Sequence, residues 1–304
     1  MKILVTGGAG FVGSHLVDKL INDKHEVVII DDLSTGKKEF INKFATFYKT
    51  DIRNKKISKI FDKHNFDIVY HIAAQKSVPY SLKNPIEDAD INILGALNLL
   101  DNCVKYKIEK IIFTSTGGAI YDAADFFPTN EECEAKPLSP YAVSKFAIEK
   151  YLNFYQKVHG LNYVIIRPAN IYGPRQDPHG EAGVIAIFIS NLLQNKQCYI
   201  NGGDQSRDFV YVKDVVNALI LAQKAKNEIY NIGTSNDISI INLYEKIRKL
   251  TNSNLTPEYK PSIKGEVVKS QLSSKKIKEQ IGWTPKISLN DGILETIEYF
   301  KNVK

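Results

Sequence analysis

The chain has 304 residues, 43% hydrophobic and 24% charged, a globular composition with length enough for a sizeable core. The 40 basic and 34 acidic residues leave a net charge of +6, which favours the approach of an anionic substrate. The lysines are dispersed, and the densest runs (Lys55-Lys56, and Lys275-Lys276 with Lys278) read as solvated faces, so no nucleic-acid partner is expected. Cys103, Cys133 and Cys198 show neither metal spacing nor a disulfide framework, and no metal is expected. No apolar run reaches membrane-spanning length, and the opening Met-Lys-Ile-Leu-Val enters a strand pattern directly. The reading is a cytoplasmic protein without a membrane partner.

The stretch "KILVTGGAGFVGSHLVDKL" predicts a strand, a glycine-rich turn and a helix whose apolar stripe is Leu16, Val17, Leu20 and Ile21. "HEVVIIDD" follows as a second strand that ends in acid. Gly8, Gly10 and Gly13 match G-x-G-x-x-G, while Gly7, Gly10 and Gly13 match the wider G-x-x-G-x-x-G, and both registers stay open. Either one lets the backbone approach a pyrophosphate seated on a helix N-terminus. Asp31 stands where a carboxylate accepts bonds from the adenosine ribose and repels a 2′-phosphate, which points to NAD over NADP. Lys37 and Lys38 nearby temper that preference slightly. Ser34, Thr35 and Gly36 form a loop that either touches the adenosine or simply turns the chain.

Further strands follow at α/β spacing, in "ATFYKTD", "FDIVYHIAA", "KIIFTST" and "NYVIIRP", with helical stretches such as "DADINILGALNLLDNCVKY" between them. The alternation predicts a Rossmann-type doubly wound parallel sheet, whose ligands bind at the carboxyl ends of the strands. Asp51, Ala73, Ala74, Thr114, Ser115, Thr116 and Asn170 lie at or just past such ends. After about residue 170 the pattern breaks into a Gly- and Pro-rich loop, a helix, short strands and a lysine- and serine-rich stretch without alternating strands. The expected division is 1–170 for the NAD-binding domain, with a return strand near 228–233. A smaller C-terminal α/β substrate domain takes 171–304 and closes over the crevice.

"SPYAVSKF" predicts a helix start, with Ser139 as N-cap and Pro140 in the first turn. Tyr141 and Lys145 then share one face. Alone, such a pair is an ordinary surface contact. Beside a nicotinamide site it has a chemical logic, because a hydride leaves an alcohol carbon only if the hydroxyl proton leaves too. Tyr141 reads as the acid/base, and Lys145 as its electrostatic partner and a ribose ligand. The lysine ammonium and the nicotinamide charge are expected to lower the phenol pKa. Thr116 reads as the anchor of the substrate oxygen. His71 and His179 read as packed or structural histidines rather than catalytic ones.

Read together, "TGGAGFVGSH", "DDLSTG", "HIAAQKSVPYS", "FTSTGGAIY", "SPYAVSKF", "NIYGPRQDPHGEAGVIAIF", "SRDFVYVKDV" and "IGWTPKISL" resemble the extended short-chain dehydrogenase/reductase family over nearly the whole chain. The resemblance is strongest to its NAD-dependent epimerases of the UDP-glucose 4-epimerase type. It implies that Phe11 and Val12 sit with the glycines on the pyrophosphate, and that Asp51 and Ile52 flank the adenine. It adds cofactor contacts from Asp32, Ala73, Ala74, Gln75, Asn92, Ser115 and Pro168. For a UDP-sugar substrate it implies Asn170 and Arg207 on the diphosphate, with Lys264 where relatives usually carry arginine. Glu181, Val184 and Phe188 fall in the segment that holds uracil in relatives, or in a core helix. The helices around 90–105 and 141–157 fall where relatives build a homodimer bundle, the alternative being burial against the sheet. Two departures touch the site: Tyr121-Asp122 replaces the usual Tyr-Gly, and the stretch from Phe113 to Tyr121 is one residue longer than in many relatives, which leaves Ser115 as an alternative anchor to Thr116.

The implied reaction is NAD-dependent 4-epimerisation of UDP-glucose and UDP-galactose by transient oxidation at C4. Counting from Gly265-Glu266 places Ser270 at the sugar 2-substituent, where a serine leaves room for UDP-N-acetylglucosamine and UDP-N-acetylgalactosamine. A 4,6-dehydratase would carry Asp-Glu after Thr116, whereas Gly117 and Gly118 follow here. A net reductase uses the same site and differs in releasing the reduced cofactor. A non-catalytic NAD-binding protein would be expected to have lost Tyr141 or Lys145.

Overall fold

A computed structural model describes residues 1–121, 124–179, 183–261 and 267–302. β1 (Lys2–Thr6) is fully buried from Ile3 to Thr6 and ends at Gly7, whose φ of +73° turns the chain. α1 (Phe11–Asn22) buries Leu16, Val17 and Leu20, and β2 (Glu26–Asp31) runs back beside β1. The alternation continues through β3 (Thr46–Lys49), α2 (Ile57–His64) and β4 (Ile68–His71). Then come α3 (Val78–Lys83), α4 (Pro85–Ala89), α5 (Gly95–Lys105) and β5 (Lys110–Thr114). A π-helical turn over Asp90–Leu94 joins α4 to α5, so the helical stretch expected over 88–106 is interrupted near its start. Such bulges interrupt the regular hydrogen-bond ladder and often mark functional positions.

α6 (Gly117–Ile120) is a single turn, and α7 (Pro140–His159) is the long helix that opens on "SPYAVSKF". The Ser139 hydroxyl accepts the N–H of Ala142 at 3.2 Å, and Pro140 takes the first helical position, where no N–H is missed. Gly160, with φ +73°, ends the helix. The chain goes on through β6 (Asn162–Pro168), β7 (Asn170–Tyr172), α8 (Val184–Leu193), β8 (Tyr199–Asn201), β9 (Ser206–Tyr211) and α9 (Val212–Leu221). It finishes with β10 (Glu228–Ile232), β11 (Asp237–Ser239), α10 (Ile240–Leu250), β12 (Glu258–Lys260), β13 (Lys269–Ser270), α11 (Lys275–Ile281) and α12 (Leu289–Asn302).

The chain divides into two compact units. The first comprises Met1–Thr116, Ser139–Arg167 and Val216–Tyr230. Its seven-stranded sheet has the order β10-β6-β5-β4-β1-β2-β3, and the pairs from β3 to β6 are parallel. The chain winds outward from β1 to β3, then crosses back to β4 and winds the other way. This Rossmann-type order has its switch point between β1 and β4, where ligands bind outside the strand ends. On one face Leu4, Val28, Ile30, Val69, Ile111 and Phe113 pack against Leu99 and Leu100 of α5 and Ile148 and Leu152 of α7. Burying each such side chain contributes about 1.5–3 kcal/mol.

The second unit comprises Gly117–Leu138, Pro168–Val215 and Asn231–Lys304. Its sheet centres on β9, which pairs with β11 antiparallel and with β7 and β13 parallel, while β8 and β12 pair separately. Five of its strands have only two or three residues, too short for the alternation that reveals a strand in sequence. The expectation of a C-terminal stretch without alternation therefore understated its β content. Trp283 is fully buried and donates from Nε1 to the Asp214 carbonyl at 2.9 Å, and the Asp214 carboxylate accepts the N–H groups of Lys286 and Ile287. These bonds account for the "GWTPKI" segment as a structural anchor.

Candidate active site

The glycine turn is sterically committed. A Cβ on Gly13 would stand 2.0 Å from the Gly7 carbonyl oxygen, so only glycine lets α1 approach the turn this closely. Gly8 instead packs on Ile29, with a Cβ there meeting that side chain at 2.7 Å. Gly7, Gly10 and Gly13 thus shape the turn and helix start, and Gly8 faces the sheet. Gly10 at the N-cap has no side chain to satisfy the first N–H groups of α1, which begin at Phe11 and Val12. Free donors at a helix N-terminus suit a phosphate.

Asp31 is 7% exposed, and its carboxylate accepts the N–H of Ala9 at 3.0 Å and of Leu33 at 2.8 Å. Burial pushes its pKa up, and those two N–H groups pull it partly back. A Cβ on Gly36 would lie 2.7 Å from Asp31 Oδ1, so a side chain there would press on the carboxylate. Asp32 Oδ1 accepts both the N–H and the hydroxyl of Ser34, at 2.8 and 2.7 Å, so these bonds turn the loop, while Thr35 is exposed. Past β3, the Asp51 carboxyl is held below the usual range by Arg53, whose guanidinium also reaches Asp90 at 2.5 Å. Ile52 is buried beside Gly95.

After β4 the chain passes the half-buried Ala73 and Ala74 to Gln75. Asn92, in the π turn, accepts the Gln75 N–H at 2.9 Å and donates to the Gln75 carbonyl at 3.0 Å. Both side-chain amides also donate to Asp88. Asp88 was not singled out from the sequence, where "PIEDADIN" reads as the acidic first turn of a helix. Its four-residue spacing from Asn92 is the one local signal that the two share a face.

β5 ends at Thr114, with Ser115 and Thr116 just beyond. Ser115 is buried, and its hydroxyl donates at 2.6 Å to Glu149, which also pairs with buried Arg167. Thr116 is less buried and lies near enough to Tyr141 to pull the phenol pKa down. Tyr141 and Lys145 come from the first turns of α7. Lys145 donates to the Thr114 carbonyl at 2.9 Å and lies 4.8 Å from the centre of the Phe113 ring. Burial lowers its pKa to about 8 against the opposing pull of Asp88 and Glu149. Behind it His71 stacks on Phe113 and bonds the Thr6 hydroxyl, and it is packed as expected.

Lys145 does not by itself lower the tyrosine pKa. Burial pushes Tyr141 up to about 12; Thr116 lowers it, and the Asp88 charge raises it further. The lysine ammonium bonds a backbone carbonyl, and desolvation of the phenolate dominates.

In the second unit, Pro168 is buried at the end of β6 and Asn170 opens β7. Asn170 Oδ1 is buried without a donor among the described residues, beside Gly118, whose Cβ would stand 3.3 Å away. Arg207 and Ser270 are paired residues on β9 and β13, with Ser270 6% exposed and Arg207 donating to the Ser206 carbonyl. Val184 is half-buried at the start of α8. Phe188 is 2% exposed and packs edge-on against Tyr244, so its side chain belongs to the core. The Asp177 carboxylate accepts the backbone N–H of His179 at 3.0 Å and turns the loop. Asp122, Glu181, Lys264, Gly265 and Glu266 lie outside the described residues.

The chain is 45% identical to a putative UDP-glucose 4-epimerase of Methanocaldococcus jannaschii, covering 99% of this chain and 98% of that one. It superposes at a TM-score of 0.98 on the Thermotoga maritima UDP-glucose 4-epimerase solved with UDP-glucose, at 47% identity over 99% of both chains. The Thermus thermophilus UDP-glucose 4-epimerase in complex with NAD matches at a TM-score of 0.95 and 40% identity, over 100% of both. The family model "NAD dependent epimerase/dehydratase family" matches residues 3–233. With the glycine turn and the Thr116–Tyr141–Lys145 cluster inside that span, the chain belongs to the NAD-dependent epimerase/dehydratase family.

Proposed function

We propose that the chain is an isomerase, a NAD-dependent 4-epimerase that interconverts UDP-glucose and UDP-galactose. The observation that carries this reading is Lys145, buried one helical turn from Tyr141 on α7 and bonded to the Thr114 carbonyl at the end of β5, in the unit that holds the glycine turn. The likeness to epimerases solved with UDP-glucose and with NAD supports the choice of substrate and cofactor. The glycine turn and the start of α1 suit the cofactor pyrophosphate, and Asp31 suits the adenosine ribose. When bound, NAD supplies reversible oxidation at the sugar C4. Tyr141 takes the proton of the 4-hydroxyl and later returns it to the same oxygen, which Thr116 holds. Thr116 suits this role better than Ser115, whose hydroxyl is committed to Glu149. Lys145 has two ammonium protons beyond the one given to Thr114, available to a ribose diol.

Asn170 and Arg207 are assigned to the substrate diphosphate and sugar, and the open Asn170 acceptor suits a sugar hydroxyl. Ser270 is assigned to the sugar 2-substituent, with N-acetylated UDP-sugars as further substrates. The first unit is assigned to cofactor binding and the second to the nucleotide sugar. Gly117 and Gly118 supply no acid or base after Thr116, which favours epimerisation over dehydration. Exposed Val143, Tyr151, Phe154 and Val158 along α7, with Leu94, suit a homodimer interface. No helix among the described residues is long and apolar enough to cross a membrane, in keeping with a cytoplasmic assignment. The test is incubation with UDP-glucose without added NADH and chromatographic resolution of the products. Accumulation of UDP-galactose to equilibrium is expected, and unchanged UDP-glucose refutes the reading.

A further inference from the structure

Asp88 has no exposed surface, yet no cation among the described residues pairs with it. Its Oδ1 accepts from Gln75 Nε2 at 2.7 Å and Asn92 Nδ2 at 3.1 Å, and its Oδ2 from Ser144 Oγ at 2.5 Å. All three donors are neutral. A buried carboxylate met only by neutral donors is costly, and an asparagine would accept the two amide bonds at Oδ1 but not the Ser144 hydroxyl, because its Nδ2 is a donor. These bonds call for an acceptor at both oxygens, but they do not say what the buried charge acts on.

Its surroundings do. Ser144 lies between Tyr141 and Lys145 on α7, and Asn92 brackets the Gln75 backbone from the π turn. We propose that Asp88 is a positioning residue for the proton transfer. It locks the Gln75–Asn92 segment to the catalytic helix at Ser144, and it sets one uncompensated negative charge against the Tyr141–Lys145 pair. This inference rests on the epimerase reading, in which Tyr141 is the acid/base.

The other charged and titratable groups near the pair are accounted for. Glu149 on α7 also acts on Lys145, but it is paired with Arg167. His71 of β4 packs neutral beside Lys145, and Thr116, an uncharged residue, acts on Tyr141. On the Asp88 segment itself, Glu87 accepts from Tyr80 and Asp90 pairs with Arg53. Among the described residues, Asp88 is thus the acid without a charged partner that acts on both members, opposing the phenolate and favouring the ammonium.

The test is Asp88→Asn, with kcat measured against pH in the parent and the variant at saturating UDP-glucose. The working form needs Tyr141 deprotonated and Lys145 protonated. Losing the Asp88 charge eases the first and hinders the second, so both limbs should move toward acid, by about 1 pH unit each. A role in packing alone would lower kcat without moving either limb, and superimposable limbs overturn the proposal. Ser144→Ala retains the charge and removes one donor, and it stands as the test should Asp88→Asn not fold. It should lower kcat roughly tenfold with KM unchanged, and an unchanged kcat overturns the proposal. A parent without epimerase activity overturns the functional reading first, and this one with it.

Discussion

His71 makes the fold acid-sensitive in a way that can be measured apart from catalysis. Its ring is 3% exposed, shares a hydrogen bond of 2.8 Å with the Thr6 hydroxyl through Nδ1, and lies near the Lys145 ammonium. Burial first, and that positive charge second, draw its pKa from 6.5 down to about 3. Between those limits the unfolded chain binds a proton that the folded protein refuses. The stability due to neutral His71 is therefore complete above 6.5 and is lost as pH falls through the window. At about 1.4 kcal/mol per unit, the loss reaches about 2 kcal/mol by pH 5 and at most about 5 kcal/mol across the window. The perturbation is His71→Asn, whose Oδ1 stands in for Nδ1 toward Thr6. It leaves a smaller side chain and a lower starting stability, so the pH slope is the readout. Urea unfolding followed by circular dichroism at pH 8, 6 and 5 should show the parent losing about 2 kcal/mol more than the variant over that range. Equal slopes would refute the assignment of a neutral buried imidazole.

Three further outcomes bear on the site. Tyr141→Phe should keep NAD and UDP-sugar affinity and lose turnover by on the order of 10²–10⁴-fold; near-parental epimerisation measured under saturation would remove Tyr141 from the mechanism. Protein stripped of nucleotide should regain activity with NAD and far less with NADP, because Asp31 repels a 2′-phosphate; equal rescue by the two would show that Asp31 does not meet the ribose. Ser270→Tyr should suppress kcat/KM for N-acetylated UDP-sugars while sparing UDP-glucose, since a bulky side chain excludes by clash; an unchanged ratio of the two would show that Ser270 does not border the 2-substituent.

What was legible in the sequence was local. The βαβ start follows from apolar periodicity and three glycines within seven residues. The α7 start follows from Ser139, Pro140 and the four-residue spacing of Tyr141 and Lys145. The short strands β7, β11, β12 and β13 carry no such period and were not resolved. Position 115 against 116 could not be settled either, because it depends on Glu149, 34 residues away, and on Arg167 from β6.

The tyrosine pKa exposes the deeper limit. Reading "YAVSK" locally pairs a phenol with an ammonium and predicts a lowered pKa, which is the sign that pair would have in isolation. In the folded unit the ammonium donates to the Thr114 carbonyl, while Asp88 reaches the helix through Ser144 across 56 residues of sequence. A sequence shows Asp88 and Glu149 as two acids of equal rank. Folding neutralises Glu149 with Arg167 and leaves Asp88 with neutral donors only. Burial of the phenolate does most to raise the Tyr141 pKa, to about 12, and the uncompensated acid adds to it; both burial and compensation are properties of tertiary contacts, which the local spacing does not carry.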